Sequence, residues 1–205
     1  MLRVYRIPFS TNVERVALAL AHKGIDVEWV DVDPADRTPV REVSGQELVP
    51  VLVEEDGRVT HDSTKILARL EELHPDPPLY PRDPARRAEV EVFLDWFNRV
   101  WKRPPNELDA ELAKPAPDPA LVDELGAELA ASRDVFEALL AGRDHLMGEL
   151  SVADCAAFPF LRYARFSEPD DEERFHLILV EHLRPLDAHP RLAAWIERME
   201  TRPRG

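Results

Sequence analysis

Four prolines fall within the eight residues His74-Pro75-Asp76-Pro77-Pro78-Leu79-Tyr80-Pro81. Proline has a fixed φ and no amide hydrogen, so neither a helix interior nor a central strand can run through this segment. The segment divides the chain into two stretches with different hydrophobic periods. Strand-like alternation occurs only before it, and from Pro84 onward the apolar residues follow a helical spacing. We therefore expect a first domain over 1–78, a proline-rich linker over 79–85 and an all-helical domain over 86–205.

Within the first stretch, Leu2 to Ile7 alternates apolar and polar positions as a strand does. Asn12 to Lys23 follows, with Val13, Val16, Ala17, Leu20 and Ala21 on one helical face and Gly24 as a stop signal. Val27 to Val32 reads as a second strand, which makes a β-α-β unit with a parallel pair and a right-handed crossover. Pro34 to Ser44 reads as loop plus short helix. Val49 to Val53 and Arg58 to His61 flank an Asp56-Gly57 turn and predict a hairpin. Asp62 to Leu73 completes the order as a helix, with Ser63 as its expected N-cap.

The second stretch predicts five helices: Arg86 to Lys102, Ala120 to Leu140, Ser151 to Arg165, Phe175 to Leu183 and Pro190 to Met199. Pro104-Pro105 is expected to end or kink the first of them. Ser151 and Asp154 have capping-box spacing, which sets Cys155 in a core helix as a packed thiol.

Composition narrows the function. With 40 acidic and 26 basic residues the net charge is −14, which argues against nucleic acid as a partner. No apolar run approaches a membrane span. A single cysteine precludes an internal disulfide, and the seven histidines show no zinc spacing, so no metal is expected. The chain opens on strand-like sequence without a signal-peptide core, and the expected location is cytoplasmic.

The segment Ser10-Thr11-Asn12-Val13-Glu14-Arg15-Val16 is similar to the Ser-Ser-Cys-x-x-Arg-Val segment of zeta-type glutathione S-transferases. Val49-Pro50 resembles the cis-proline of thioredoxin-like folds, Asp62-Ser63 the pair of the same family in which glutamate or glutamine usually precedes the serine, and Ser151 to Asp154 its helical-domain capping box. The resemblance covers nearly the whole chain. It implies an α/β plus all-α architecture: an N-terminal thioredoxin-like domain (βαβ-ββα) and a C-terminal all-helical glutathione S-transferase-like domain. It also implies a transferase in which glutathione is the cosubstrate and a small electrophile binds between the domains. A homodimer and a role in detoxification follow from the family.

The serine type is implied because Phe9 stands where a tyrosine would be needed and Tyr5 lies mid-strand. Ser10 is then the catalytic residue. Thr11, Asn12, Val49, Pro50, Asp62 and Ser63 are candidate glutathione-binding residues. Arg37 or Arg41 would meet the glycine carboxylate, with Gln46 as a further polar candidate. A cis Pro50 would leave the Val49 N–H and C=O for a peptide-like ligand. Aromatic residues of the helical domain, including Trp96, Phe97 and Trp101, read as core.

The chemistry suits a helix N-terminus, where unpaired N–H groups and the positive dipole end favour an anion. A thiol with a pKa near 8.5 is only about 3% ionised at pH 7. Lowering that value by about two units requires roughly 2.7 kcal/mol of preferential anion stabilisation. A serine hydroxyl donating to sulfur is a suitable source. The same residues admit a plainer reading, in which Ser10, Thr11 or Asn12 simply caps the helix. A non-catalytic ligand-binding or scaffold protein of the same fold is the functional alternative.

Overall fold

The computed structural model covers residues 1–205 and resolves into two compact units. The first comprises Met1–Arg82 together with Arg202–Gly205, and the second comprises Asp83–Thr201.

The first unit runs β1 (Leu2–Arg6), α1 (Thr11–Lys23), β2 (Val27–Asp31), α2 (Thr38–Ser44), β3 (Val51–Val53), β4 (Val59–His61) and α3 (Ser63–Leu73). The sheet order is β2-β1-β3-β4, with β1 and β2 parallel and both other pairings antiparallel. Gly24 ends α1 at φ 64°, a left-handed conformation that glycine adopts without steric cost. Strand alternation divides the core in two. Tyr5, Ile7, Val51 and Val53 cluster with Val40 of α2. Val4 and Leu52 point to the opposite face and are fully buried, as are Val16, Leu20, Ile66, Leu67 and Leu70 of α1 and α3.

Two chain segments are tied onto this unit by polar contacts. The buried Lys23 ammonium donates to Glu71 at 2.6 Å and to the carbonyls of His74 and Pro77, while Glu71 accepts the Leu79 N–H at 2.9 Å. The proline segment is thus held against α1 and α3. Residues 202–205 lie along α1: the Gly205 N–H donates to the Ala17 carbonyl at 3.0 Å, and Arg204 pairs with Glu14.

The second unit contains α4 (Pro84–Trp96), a π-helical turn over Phe97–Trp101, α5 (Arg103–Leu112), α6 (Pro119–Leu139), α7 (Val152–Leu161), a 3₁₀ turn over Arg162–Ala164, α8 (Arg174–Leu183) and α9 (Pro190–Glu200). The sequence reading missed α5. Pro104-Pro105 starts this helix rather than ending the preceding one, because first-turn amides have no intrahelical partner to lose. The aromatic residues form the core as expected: Phe97 stacks on Trp101 at 4.5 Å, with Phe136 and Phe160 edge-on. Both halves of the Ser151–Asp154 capping box are present, and Cys155 is buried. No helix is long and apolar enough to cross a membrane.

Candidate functional site

Sheet register gathers the three predicted segments. Tyr5 of β1 pairs with Val51 of β3, which pairs in turn with His61 of β4. The continuations of that row are Phe9-Ser10 after β1, Val49-Pro50 before β3 and Asp62-Ser63 after β4. All three therefore leave the sheet at the same end.

Phe9 turns the chain at φ 61°, which is unusual for a bulky residue, and it is 46% exposed. Ser10 follows as the N-cap of α1, with extended φ and ψ and its Oγ accepting the Val13 N–H at 3.4 Å. Of the three residues that could cap this helix, Ser10 is the one that does. Thr11 is buried as the first helical residue, and the Asn12 Oδ1 accepts the Ser63 hydroxyl at 3.3 Å.

At the start of α3 the cap expected at Ser63 is supplied by Asp62 instead. Its Oδ1 accepts the N–H groups of Thr64 at 2.9 Å and Lys65 at 3.2 Å. A carboxylate satisfies two helix-end amides with charge-assisted bonds, which a hydroxyl does less strongly. Asp62 does this at φ 74°, a strained position of the kind that clusters at ligand sites. Ser63, displaced to the first helical position, is buried.

Arg15 was not singled out by sequence reasoning as a site residue. Its side chain is almost wholly buried, and Nη1 donates to the Ser63 Oγ at 3.3 Å. Burial pushes its pKa down to about 9, opposed by the nearby Asp62 carboxylate, so it stays a cation at neutral pH. A lone arginine in a helical pattern normally reads as surface. Its place in the Arg15-Val16 register was the only available signal, and that signal says nothing of burial. Ser63 thus accepts from Arg15 and donates to Asn12, linking the first turns of α1 and α3.

The Val49-Pro50 peptide is cis, and Val49 lies outside the β3 ladder. Gln46 shapes the approach to it. The Gln46 amide donates to the Leu48 carbonyl at 2.9 Å, and its oxygen accepts the Leu48 N–H at 2.6 Å. Both candidate cations have protein partners: Arg37 donates to the Pro34 carbonyl, and Arg41 to Glu47 at 2.7 Å and to Thr38. Neither hydrogen-bonds to Ser10 or Ser63.

In the helical unit, Asp171, Glu173 and His176 bring potential metal-ligand atoms within 4.8 Å of one another. There the Asp171 carboxylate faces the His176 Nδ1 at 2.7 Å and accepts the Tyr163 hydroxyl at 2.8 Å, a protein-internal network.

Comparison with known proteins agrees with this fold. Residues 4–78 match the family model described as glutathione S-transferase, N-terminal domain, and residues 110–203 match its C-terminal counterpart. Glutathione S-transferase 3 of Zea mays is 32% identical over 98% of this chain and 90% of its own length. FtsZ-localized protein A of Caulobacter vibrioides is 31% identical over 75% of this chain and 73% of its own. The crystal structure of a glutathione S-transferase from Rhodospirillum rubrum F11 superposes with a TM-score of 0.75 at 28% identity, covering 99% of this chain and 89% of that one. Its thioredoxin-like sheet, its helical unit and these relatives together establish that the chain belongs to the glutathione S-transferase family.

Proposed function

We propose that this chain is a serine-type glutathione transferase, a cytoplasmic homodimer that conjugates glutathione to a small electrophile. The family and fold support a glutathione-dependent, transferase-type activity. The observation that carries the finer reading is the shared exit of Ser10, Val49-Pro50 and Asp62-Ser63 from one end of the sheet.

In this reading the ligand's cysteinyl backbone pairs with the Val49 main chain as an added strand. Its γ-glutamyl carboxylate meets the Ser63 hydroxyl and N–H at the α3 N-terminus, where Arg15 adds positive charge. The γ-glutamyl ammonium faces Asp62. Arg37 would give up the exposed Pro34 carbonyl, or Arg41 its surface ion pair with Glu47, to meet the glycine carboxylate, an exchange that costs little.

The Ser10 Oγ receives one long bond from the Val13 N–H. Its own proton can be donated to the sulfur, so capping and thiolate stabilisation coexist on one hydroxyl. The sulfur loses its proton to solvent and attacks the electrophilic carbon, whose leaving group departs or whose π bond takes up the electron pair. Catalysis is ionisation and positioning, and the proposal requires no metal.

Glutathione calorimetry joined to a conjugation assay tests the reading. We expect wild-type binding with a thiolate absorbance at neutral pH. Ser10→Ala should bind glutathione yet raise the bound-thiol pKa by about one to two units. Unchanged absorbance and turnover would remove Ser10 from the mechanism. The likeness to FtsZ-localized protein A favours a second reading, a binding or scaffold protein of this fold. Glutathione bound without turnover on any electrophile class, or a stable complex with a protein partner and no glutathione binding, would select it.

A further inference from the structure

We propose that Arg204 is a positioning residue for the reaction, acting by cancelling the charge of Glu14 at the N-terminal end of α1. This inference rests on the thiolate reading of Ser10 given above.

Glu14 lies in the first turn of α1, and its N–H donates to the Ser10 carbonyl at 3.0 Å. An acidic residue there stabilises a helix by meeting the positive end of its dipole. A thiolate beside Ser10 needs that same positive end, so an uncompensated Glu14 carboxylate and the thiolate oppose one another. Four helical residues span about 6 Å along the axis, well within the screening length at physiological salt.

The chain meets this conflict from a segment 190 residues away. Arg204 donates to the Glu14 Oε1 from Nε at 3.2 Å and from Nη2 at 3.0 Å. Its remaining nitrogen, Nη1, donates to the Arg202 carbonyl at 2.7 Å, which fixes the guanidinium plane. The Gly205 N–H donates to the Ala17 carbonyl one turn further along α1. A Cβ at Gly205 would stand 3.0 Å from that of Leu20 and 3.2 Å from the Ala21 nitrogen, so the backbone lies directly on the helix. Both side chains of the pair are mostly shielded from solvent, which weakens screening between them. Arg15 on α1 and Asp62 before α3, also at this end of the unit, are close enough to interact with each other. With Arg204 in place, Glu14 keeps its bond geometry while its field at the helix end is offset.

The test compares the full-length chain with Arg204→Gln, Arg204→Lys and the double variant Arg204→Gln/Glu14→Gln. Bound glutathione thiolate is read by ultraviolet absorbance at pH 7, together with kcat and KM for conjugation. For two like charges at this spacing we expect Arg204→Gln to lower the bound thiolate-to-thiol ratio about threefold. kcat should fall in step while the glutathione KM holds. Arg204→Lys should restore both, and so should the double variant, because it removes the carboxylate that needed compensation. An Arg204→Gln protein indistinguishable from wild type overturns the proposal. So does a defect that persists in the double variant, since that marks lost packing rather than uncompensated charge. A wild-type chain that binds glutathione without any thiolate signal instead overturns the Ser10 reading on which this one stands.

Discussion

Asp154 in the helical unit and the pair Ser10 and Ser63 in the first unit are all polar groups near helix N-termini, and they are treated in opposite ways. Asp154 is fully buried and receives the N–H groups of Leu146 and Ser151 at 3.0 Å each, the Ser151 hydroxyl at 3.3 Å and the Trp195 indole N–H at 2.9 Å. Its lone pairs are filled by the protein. The hydroxyls of Ser10 and Ser63 make hydrogen bonds of 3.3 to 3.4 Å, and Ser10 is half-buried. A saturated buried network fixes a fold, because each partner is costly to strand. Loosely bonded hydroxyls at a helix end retain capacity for a ligand. The difference separates a folding device from a recognition device where both begin as a Ser or Asp before a helix.

Substitutions that treat the two groups alike should show the contrast. Asp154→Ala strands several buried donors and should destabilise the protein by about 4 kcal/mol, read by urea denaturation. A loss near zero would mean that this network is ornamental. Ser63→Ala takes one acceptor from the buried Arg15 and should cost about 1 kcal/mol of stability, yet weaken glutathione binding by about 2 kcal/mol, measured calorimetrically. Equal losses in stability and binding would erase the distinction drawn here.

Ser10→Ala should cost about 1 kcal/mol of stability as a lost helix cap, additional to its effect on the thiol. A much larger loss in denaturation would place Ser10 with Asp154 as a structural group.

The smallest effect concerns Glu54. Its bonds to Arg69, at 2.8 and 2.9 Å, hold its pKa below the ordinary carboxylate value. A carboxylate with a depressed folded-state pKa contributes stability above its unfolded value and loses it as pH falls through the folded one. Arg69→Met should therefore be less stable than wild type at neutral pH, and the two denaturation curves should converge in acid. A pH-independent gap would assign the effect to lost side-chain packing.

Local pattern made most of the fold legible. The β-α-β unit, the Asp56-Gly57 hairpin and the Ser151–Asp154 box each lie within a short window, where spacing alone specifies geometry. The cis Val49-Pro50 peptide was implied by the family resemblance and is present. What escaped depends on contacts distant in sequence or on a shift of one residue. A proline pair reads as a stop until its position in the first turn of α5 is known. Asp62 and Ser63 are both good caps, and only backbone dihedrals assign the role. The burial of Arg15 depends on Ser63, 48 residues away, and the pairing of Arg204 with Glu14 spans most of the chain. No periodicity encodes either.

The first unit is discontinuous in sequence, since residues 202–205 belong to it. During synthesis its sheet and helices can assemble as soon as Arg82 has left the ribosome, because domains generally fold as units. The Gly205 and Arg204 contacts with Ala17 and Glu14 of α1 then form only after the whole helical unit has been translated. A chain halted anywhere in that interval has the sheet and α1 in place but not the Arg204 guanidinium against Glu14.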